Sequence, residues 1–305
     1  MHRLWLLLCT AVVIPIALAA QGATFDTAFA PGANYNKAAF RFWYPGGNER
    51  IRTVVALLPG SNGDGRGEVA DTVWQRFARE HHAALIGVQL TDKPHDQGFI
   101  EEYVDVSRGS GDTFLSALSA FAAVSHHPEI ATAPLLLWGM SAGGEFNYEF
   151  AAWHPERVAA FVVNKGNIYY TALTPRATRN IPAILFVGGK DLAYRIETVT
   201  GLFAVNRRAG ALWALATEPG AGHIVGRSRD VALVFFDDVL RLRLPESTDT
   251  LLPVSAASGV LGDLADDSYH AAGSAASPQA PTAWLPTDRV ARAWQAMMKD
   301  EPFTP

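Results

Sequence analysis

Leu135-Leu136-Leu137-Trp138-Gly139-Met140-Ser141-Ala142-Gly143-Gly144 passes from four consecutive apolar residues into a Gly-x-Ser-x-Gly turn, and then into a helical pattern that stops before Pro155. An unbroken apolar run is what a strand buried on both faces requires. A serine at so sharp a strand-to-helix turn is held in a strained backbone conformation, accommodated only if the residues two before and two after it lack side chains. The Ser141 hydroxyl then projects from the sheet, the amide of Ala142 points at the same spot, and the helix dipole adds its positive end there. Alone, Gly-x-Ser-x-Gly is a weak signal, because glycine and serine abound in loops. Between a strand and a helix it marks Ser141 as a candidate nucleophile.

Outward from this turn, short apolar runs alternate with longer amphipathic stretches, the pattern of a mostly parallel sheet covered by helices on both faces. The expected strands are Phe40 to Tyr44, Thr53 to Leu58, Ala84 to Leu90, Leu135 to Trp138, Val158 to Val163, Ile184 to Val187 and Leu212 to Thr217. The first alternates and reads as an edge strand. Helices are expected over Val69 to His82 (with Val73, Phe77 and Ala78 on one side), Thr113 to Val124, Ala142 to Trp153, Arg195 to Arg208 and Arg229 to Leu242. The α/β class follows, with one catalytic domain over residues 20–244.

A serine hydroxyl is a poor nucleophile at neutral pH, so it needs a base within hydrogen-bond reach and a third group to fix that base's tautomer. After the strand ending at Val187, Gly188-Gly189-Lys190-Asp191 delivers a carboxylate on a flexible turn. After the last strand, Glu218-Pro219-Gly220-Ala221-Gly222-His223 carries a histidine on a glycine-rich loop just before a helix. His81, His82, His126, His127 and His154 sit at helix ends, where solvated or dipole-related roles are ordinary. Asp191 is therefore the expected acid and His223 the expected base, with Glu218 and Asp230 as fallback acids.

The stretch from Lys37 to Leu244 resembles the α/β-hydrolase superfamily, within it the extracellular esterases of the polyhydroxybutyrate depolymerase, feruloyl esterase and dienelactone-hydrolase-like groups. The resemblance implies the chain order nucleophile, acid, histidine, which Ser141, Asp191 and His223 follow. It also implies two oxyanion donors: the amide of Ala142, and one from the loop Pro59-Gly60-Ser61-Asn62-Gly63-Asp64-Gly65, where Ser61 is the match and Asn62 the second choice. Many relatives carry His-Gly where this chain has Pro59-Gly60; a main-chain donor tolerates the change because Gly60 still lets the loop turn. Loops after two other strands, Thr91 to Tyr103 and Asn164 to Tyr170, are expected on the same rim. Asn62, Met140, Lys165 and Tyr169 are the substrate-binding candidates.

The remaining composition narrows the function classes. With 305 residues, 49% hydrophobic, 18% charged and a net charge of −5, the chain has the profile of a globular protein and no basic patch for nucleic acid. Met1-His2-Arg3, the uncharged run from Leu4 to Leu18 and Ala17-Leu18-Ala19 read as a signal peptide over residues 1–19, implying a secreted or periplasmic protein with no membrane span after cleavage. Cys9, the only cysteine, falls inside it. Nothing has metal-ligand spacing, so neither a metal nor a cofactor is expected. Residues 245–305 read as an extension, loose around Ala272 to Gln279, whose helix Thr287 to Met298 packs back through Val290, Trp294 and Met297. The expected function is a monomeric serine esterase acting on a small-molecule or polymeric ester. A serine peptidase or amidase on the same scaffold and a catalytically silent binding module are the alternatives.

Overall fold

A computed structural model describes residues 22–98, 100–272 and 282–303. The expected signal segment, Cys9 and nearly all of the 272–279 tract lie outside the described residues. In chain order the elements are β1 (Ala23–Phe29), β2 (Lys37–Tyr44), β3 (Thr53–Leu58), α1 (Thr72–Glu80), β4 (Ala83–Thr91), α2 (Ser110–Ser125), β5 (Leu135–Gly139), α3 (Ala142–Trp153) and β6 (Val158–Asn164). There follow α4 (Arg176–Arg179), β7 (Ala183–Gly188), α5 (Ala193–Arg208), β8 (Trp213–Glu218), α6 (Ser228–Arg243), β9 (Val260–Gly262), β10 (Tyr269–Ala271), β11 (Ala283–Leu285) and α7 (Asp288–Met298), joined by short 3-10 turns.

Eight strands form the main sheet in the order β1-β2-β4-β3-β5-β6-β7-β8. β1 and β2 run antiparallel to their neighbours, and from β4 through β8 every pairing is parallel. The expectation of an edge strand at Phe40 to Tyr44 is corrected. β2 is paired on both sides, and its residues are buried except Lys37 and Arg41. The edge belongs to β1, a half-buried alternating strand too polar to stand out as an apolar run.

Successive residues of each central strand feed opposite cores, as the period of two demands. Val54, Ala56, Leu137 and Leu185 pack in one core with Phe114, Phe146 and Phe203 of α2, α3 and α5. Val55, Leu57, Leu136 and Phe186 pack in the other with Trp74, Phe235 and Trp294 of α1, α6 and α7. α1 is capped by Asp71, whose carboxylate accepts from the amides of Val73 and Trp74, an interaction worth about 1 kcal/mol. It buries Trp74, Phe77 and Ala78; Trp74 replaces the expected Val73 because the i, i+3, i+4 stripe starts one residue later.

The extension folds back onto the sheet. α7 begins at the Thr287 cap, buries Val290, Trp294 and Met297, and its Trp294 Nε1 donates to the carbonyl of Leu215 in β8 at 2.7 Å. The three-stranded sheet β10-β9-β11, for which the sequence offered only three-residue strands, lies beside it. Among the described residues no helix is long and apolar enough to cross a membrane.

Candidate active site

The parallel strands place their C-terminal ends on one rim, and β5 delivers Ser141 there. Its backbone, φ 52° and ψ −125°, is one that L residues adopt at a cost of about 1–3 kcal/mol. Surrounding bonds hold it: the Ser141 amide donates to Asn164 O at 2.8 Å, the Met140 amide to Leu58 O at 3.2 Å, and the Glu145 amide to Ser141 O at 3.0 Å. The flanking glycines answer to close approach. A Cβ on Gly139 would lie 2.3 Å from the Gly143 carbonyl, and one on Gly143 would lie 2.5 Å from the carbonyl oxygens of Leu58 and Pro59. A side chain at Gly139 would push α3 away from the turn, and one at Gly143 would push the turn off the end of β3.

β7 and β8 bring the other two groups. The Gly189 amide donates to Glu218 O at 2.8 Å and the Lys190 amide to Ala221 O at 2.9 Å, so the loops carrying Asp191 and His223 are tied together before their side chains meet. His223 Nδ1 lies 2.8 Å from Asp191 Oδ2, and His223 Nε2 lies 3.0 Å from Ser141 Oγ. Asp191 Oδ1 also accepts from the Leu192 amide at 2.7 Å and from Arg195 at 3.3 Å. Burial works to raise the Asp191 carboxyl pKa, but the hydrogen bonds from His223 and Leu192 outweigh it, and the net direction is down. The carboxylate stays ionised and faces the imidazole N–H.

The amides of Ser61 and Ala142 make no hydrogen bond within the protein among the described residues; Ser61 lines one cleft with Ser141, and Ala142 follows Ser141 in the chain. A cleft of about 440 Å³ opens over the serine. Gly60, Ser61 and Met140 line it on one side of Ser141 and His223. Glu101, Glu145, Asn167 and Arg195 complete the wall.

Of the four substrate-binding candidates, Met140 alone lines the cleft. Asn62 is turned away: its amide donates to the Tyr103 hydroxyl at 3.2 Å, and its side-chain oxygen accepts from the Asp92 amide at 2.7 Å. That also removes Asn62 as an oxyanion donor. Lys165 is buried behind the rim, where its ammonium bonds Glu218 Oε2 at 3.0 Å and Asn164 Oδ1 at 3.1 Å. Burial lowers its pKa against the opposing pull of Glu218. Tyr169 packs edge-on against Tyr148 at 4.9 Å between ring centroids, with its hydroxyl buried and unpartnered. Neither Lys165 nor Tyr169 faces the cleft as expected of a substrate-binding residue, because this loop is drawn inward by the carboxylates of α3. Glu145 accepts from the Asn167 amide at 2.6 Å, and Glu149 accepts from those of Tyr170 and Thr171.

Neither fallback acid bonds His223. Glu218 is committed to Lys165 and to the Arg227 amide, which clamps the histidine loop from behind. Two of the cleft residues missed from sequence were within reach of helical spacing: Glu145, in α3, lies one turn after Ser141, and Arg195, in α5, one turn after Asp191. Among the described residues no group of three or more His, Cys, Asp or Glu side chains is disposed to hold a metal ion.

No family model and no curated protein matches the sequence. Solved structures do match its shape. A poly(3-hydroxybutyrate) depolymerase from Bordetella parapertussis superposes with a TM-score of 0.51 at 19% identity, covering 72% of this chain and 90% of its own. A ferulic acid esterase superposes with a TM-score of 0.50 at 12% identity, covering 75% of this chain and 98% of its own. At such identities the likeness speaks to architecture. With the strand order above and the strand-to-helix turn at Ser141, it establishes that this chain has the α/β-hydrolase fold.

Proposed function

We propose that the protein is a serine hydrolase that cleaves carboxylic esters through an acyl-enzyme intermediate. The observation that carries this reading is the continuous chain from Asp191 through His223 to Ser141, with contacts of 2.8 and 3.0 Å, ending beside two unbonded main-chain amides. Ser141 Oγ attacks the ester carbonyl carbon while its proton passes to His223 Nε2. Asp191 holds the Nδ1 proton and balances the imidazolium. The amides of Ser61 and Ala142 receive the negative oxygen of the tetrahedral intermediate, each worth about 3 kcal/mol in comparable sites. The C–O bond then breaks and the alcohol leaves with the proton from His223. Water, deprotonated by the same imidazole, attacks the acyl carbon and releases the acid, restoring the Ser141 hydroxyl.

The names of the two neighbours, an esterase and a depolymerase, support an ester substrate of small or polymeric kind. The N-terminal pattern supports export to the periplasm or medium, and we read the enzyme as a monomer. Purified protein is expected to hydrolyse p-nitrophenyl acetate, and Ser141→Ala to lose the activity while keeping its circular dichroism spectrum. Equal rates for the two proteins would refute the proposal. Turnover of the matching anilide at a comparable rate would move the reading to an amidase.

A further inference from the structure

The cleft over Ser141 holds more charge than acyl transfer requires. Glu101 is 6% exposed, lines the cleft, and its carboxylate makes no hydrogen bond or ion pair with any described residue. Native proteins normally give a carboxylate in such a wall a partner, and this one is left open to the cleft and to a ligand. Glu145, 2% exposed, lies in the same wall, and its one bonded oxygen takes the Asn167 amide. The two carboxyls sense one another: the Glu145 pKa is pushed up to about 8, first by burial and next by the charge of Glu101. Bringing a second carboxyl close to an unpaired one is the reverse of what stability alone favours.

Arg195, the cation in this wall, is partly engaged, its Nε being buried without a partner. It donates to Asp191 at 3.3 Å and its guanidinium lies 5.6 Å from the centre of the Tyr194 ring. The Arg195 charge acts on Glu145 as well as on Asp191, and the carboxylate left without a partner in the wall is Glu101. Among the described residues Met140 is the one apolar side chain in the lining, and a long aliphatic or aryl group would leave Glu101 dehydrated without a counter-charge. An anionic group would meet repulsion. A cation with N–H donors gains both attraction and charge-assisted hydrogen bonds.

We propose that Glu101 and Glu145 form a subsite for a primary ammonium group, so that the preferred substrates are esters carrying a positively charged amine. The inference rests on the esterase reading of Ser141 and narrows its substrate class.

The test is a matched panel on the full-length mature protein: ethyl ε-aminocaproate, ethyl ε-hydroxycaproate, ethyl heptanoate and monoethyl adipate. The reversed acetates of aminohexanol, hexanediol and heptanol place the same groups on the alcohol side. In at least one series the ammonium ester is expected to lead its neutral partners in kcat/KM by about tenfold or more, chiefly through a lower KM. That ratio should collapse towards one in Glu101→Gln. Independently of any variant, pentylammonium should inhibit wild-type turnover of ethyl heptanoate well below the concentration at which pentanol does. A lead for the hydroxyl esters would overturn the proposal in favour of a polyol site. Equal rates across the panel, or equal inhibition by amine and alcohol, would overturn it while leaving the esterase intact. No turnover of any member, with Ser141 unreactive towards a fluorophosphonate, would overturn both.

Discussion

The two ends of the parallel sheet are built from the same strands and treated in opposite ways. At the N-terminal end, buried guanidiniums close off the backbone. Arg52 donates to the carbonyls of Leu244, Pro245 and Thr248, and Arg243 to those of Val158, Ala159 and Leu252. A hollow of about 330 Å³ lies there, yet its histidines are paired, His81 with Asp237 and His82 with Glu49. Arg157 Nε is the buried exception at that end. At the C-terminal end the cleft is of similar size, but Ser141 is strained, the Ser61 and Ala142 amides are free and Glu101 is unpaired. Hollow volume does not distinguish the ends; unsatisfied polar groups do. One end pairs its polar groups within the fold, and the other leaves them open to the cleft.

The contrast can be broken most severely at Asp191. Asp191→Asn keeps the shape of the side chain but removes the charge that fixes the His223 tautomer. Ester turnover should fall by about 10⁴-fold in kcat, with a thermal midpoint close to wild type, because the loss lies in the transition state. At the opposite end the expectation inverts. Arg243→Met leaves three carbonyls without their donor and should lower unfolding free energy by about 2 kcal/mol in urea titrations, with kcat/KM for p-nitrophenyl acetate within about twofold of wild type. Burial has already lowered the Arg243 pKa to about 10, so part of the lost bonding is offset by relief from a buried charge.

The smallest effect sharpens the comparison within the cleft. Glu145 has its pKa raised from 4.5 to about 8, so the native state holds a proton that the unfolded chain has released. The stability this confers is complete below the unfolded value and is lost as pH rises through about 8. Urea midpoints of the wild type should therefore decline between acid and mildly alkaline pH. Glu145→Gln, which has no proton to lose, should decline less over that span. Parallel declines in the two proteins would mean that the Glu145 carboxyl is not kept protonated by the fold.

Much of this was legible in the residues. The buried strands β3, β5, β6, β7 and β8 announced themselves as apolar runs, because a strand covered on both faces has no polar positions to hide it. Ser141, Asp191 and His223 were legible because each follows such a strand and is flanked by glycine. β1 escaped notice because an edge strand needs only one apolar face, and its seven residues include Asp26 and the weakly apolar Ala23, Thr24, Thr27 and Ala28. The wall of the cleft was harder to read. Lys165 and Tyr169 stand in a loop, where polarity suggests exposure, and nothing local reveals that Glu145 and Glu149 pull that loop inward from α3. Glu101 could not be placed at all without the fold, since its partnerless burial is a property of distant strands meeting.

The most direct measurement is intact-mass spectrometry of the mature protein after exposure to a fluorophosphonate, followed by peptide mapping. The account predicts one adduct per chain, on the peptide containing Ser141, formed rapidly by the wild type and lost in both Ser141→Ala and His223→Ala. A folded wild type that takes no label, or a label that persists undiminished in Ser141→Ala, would contradict it.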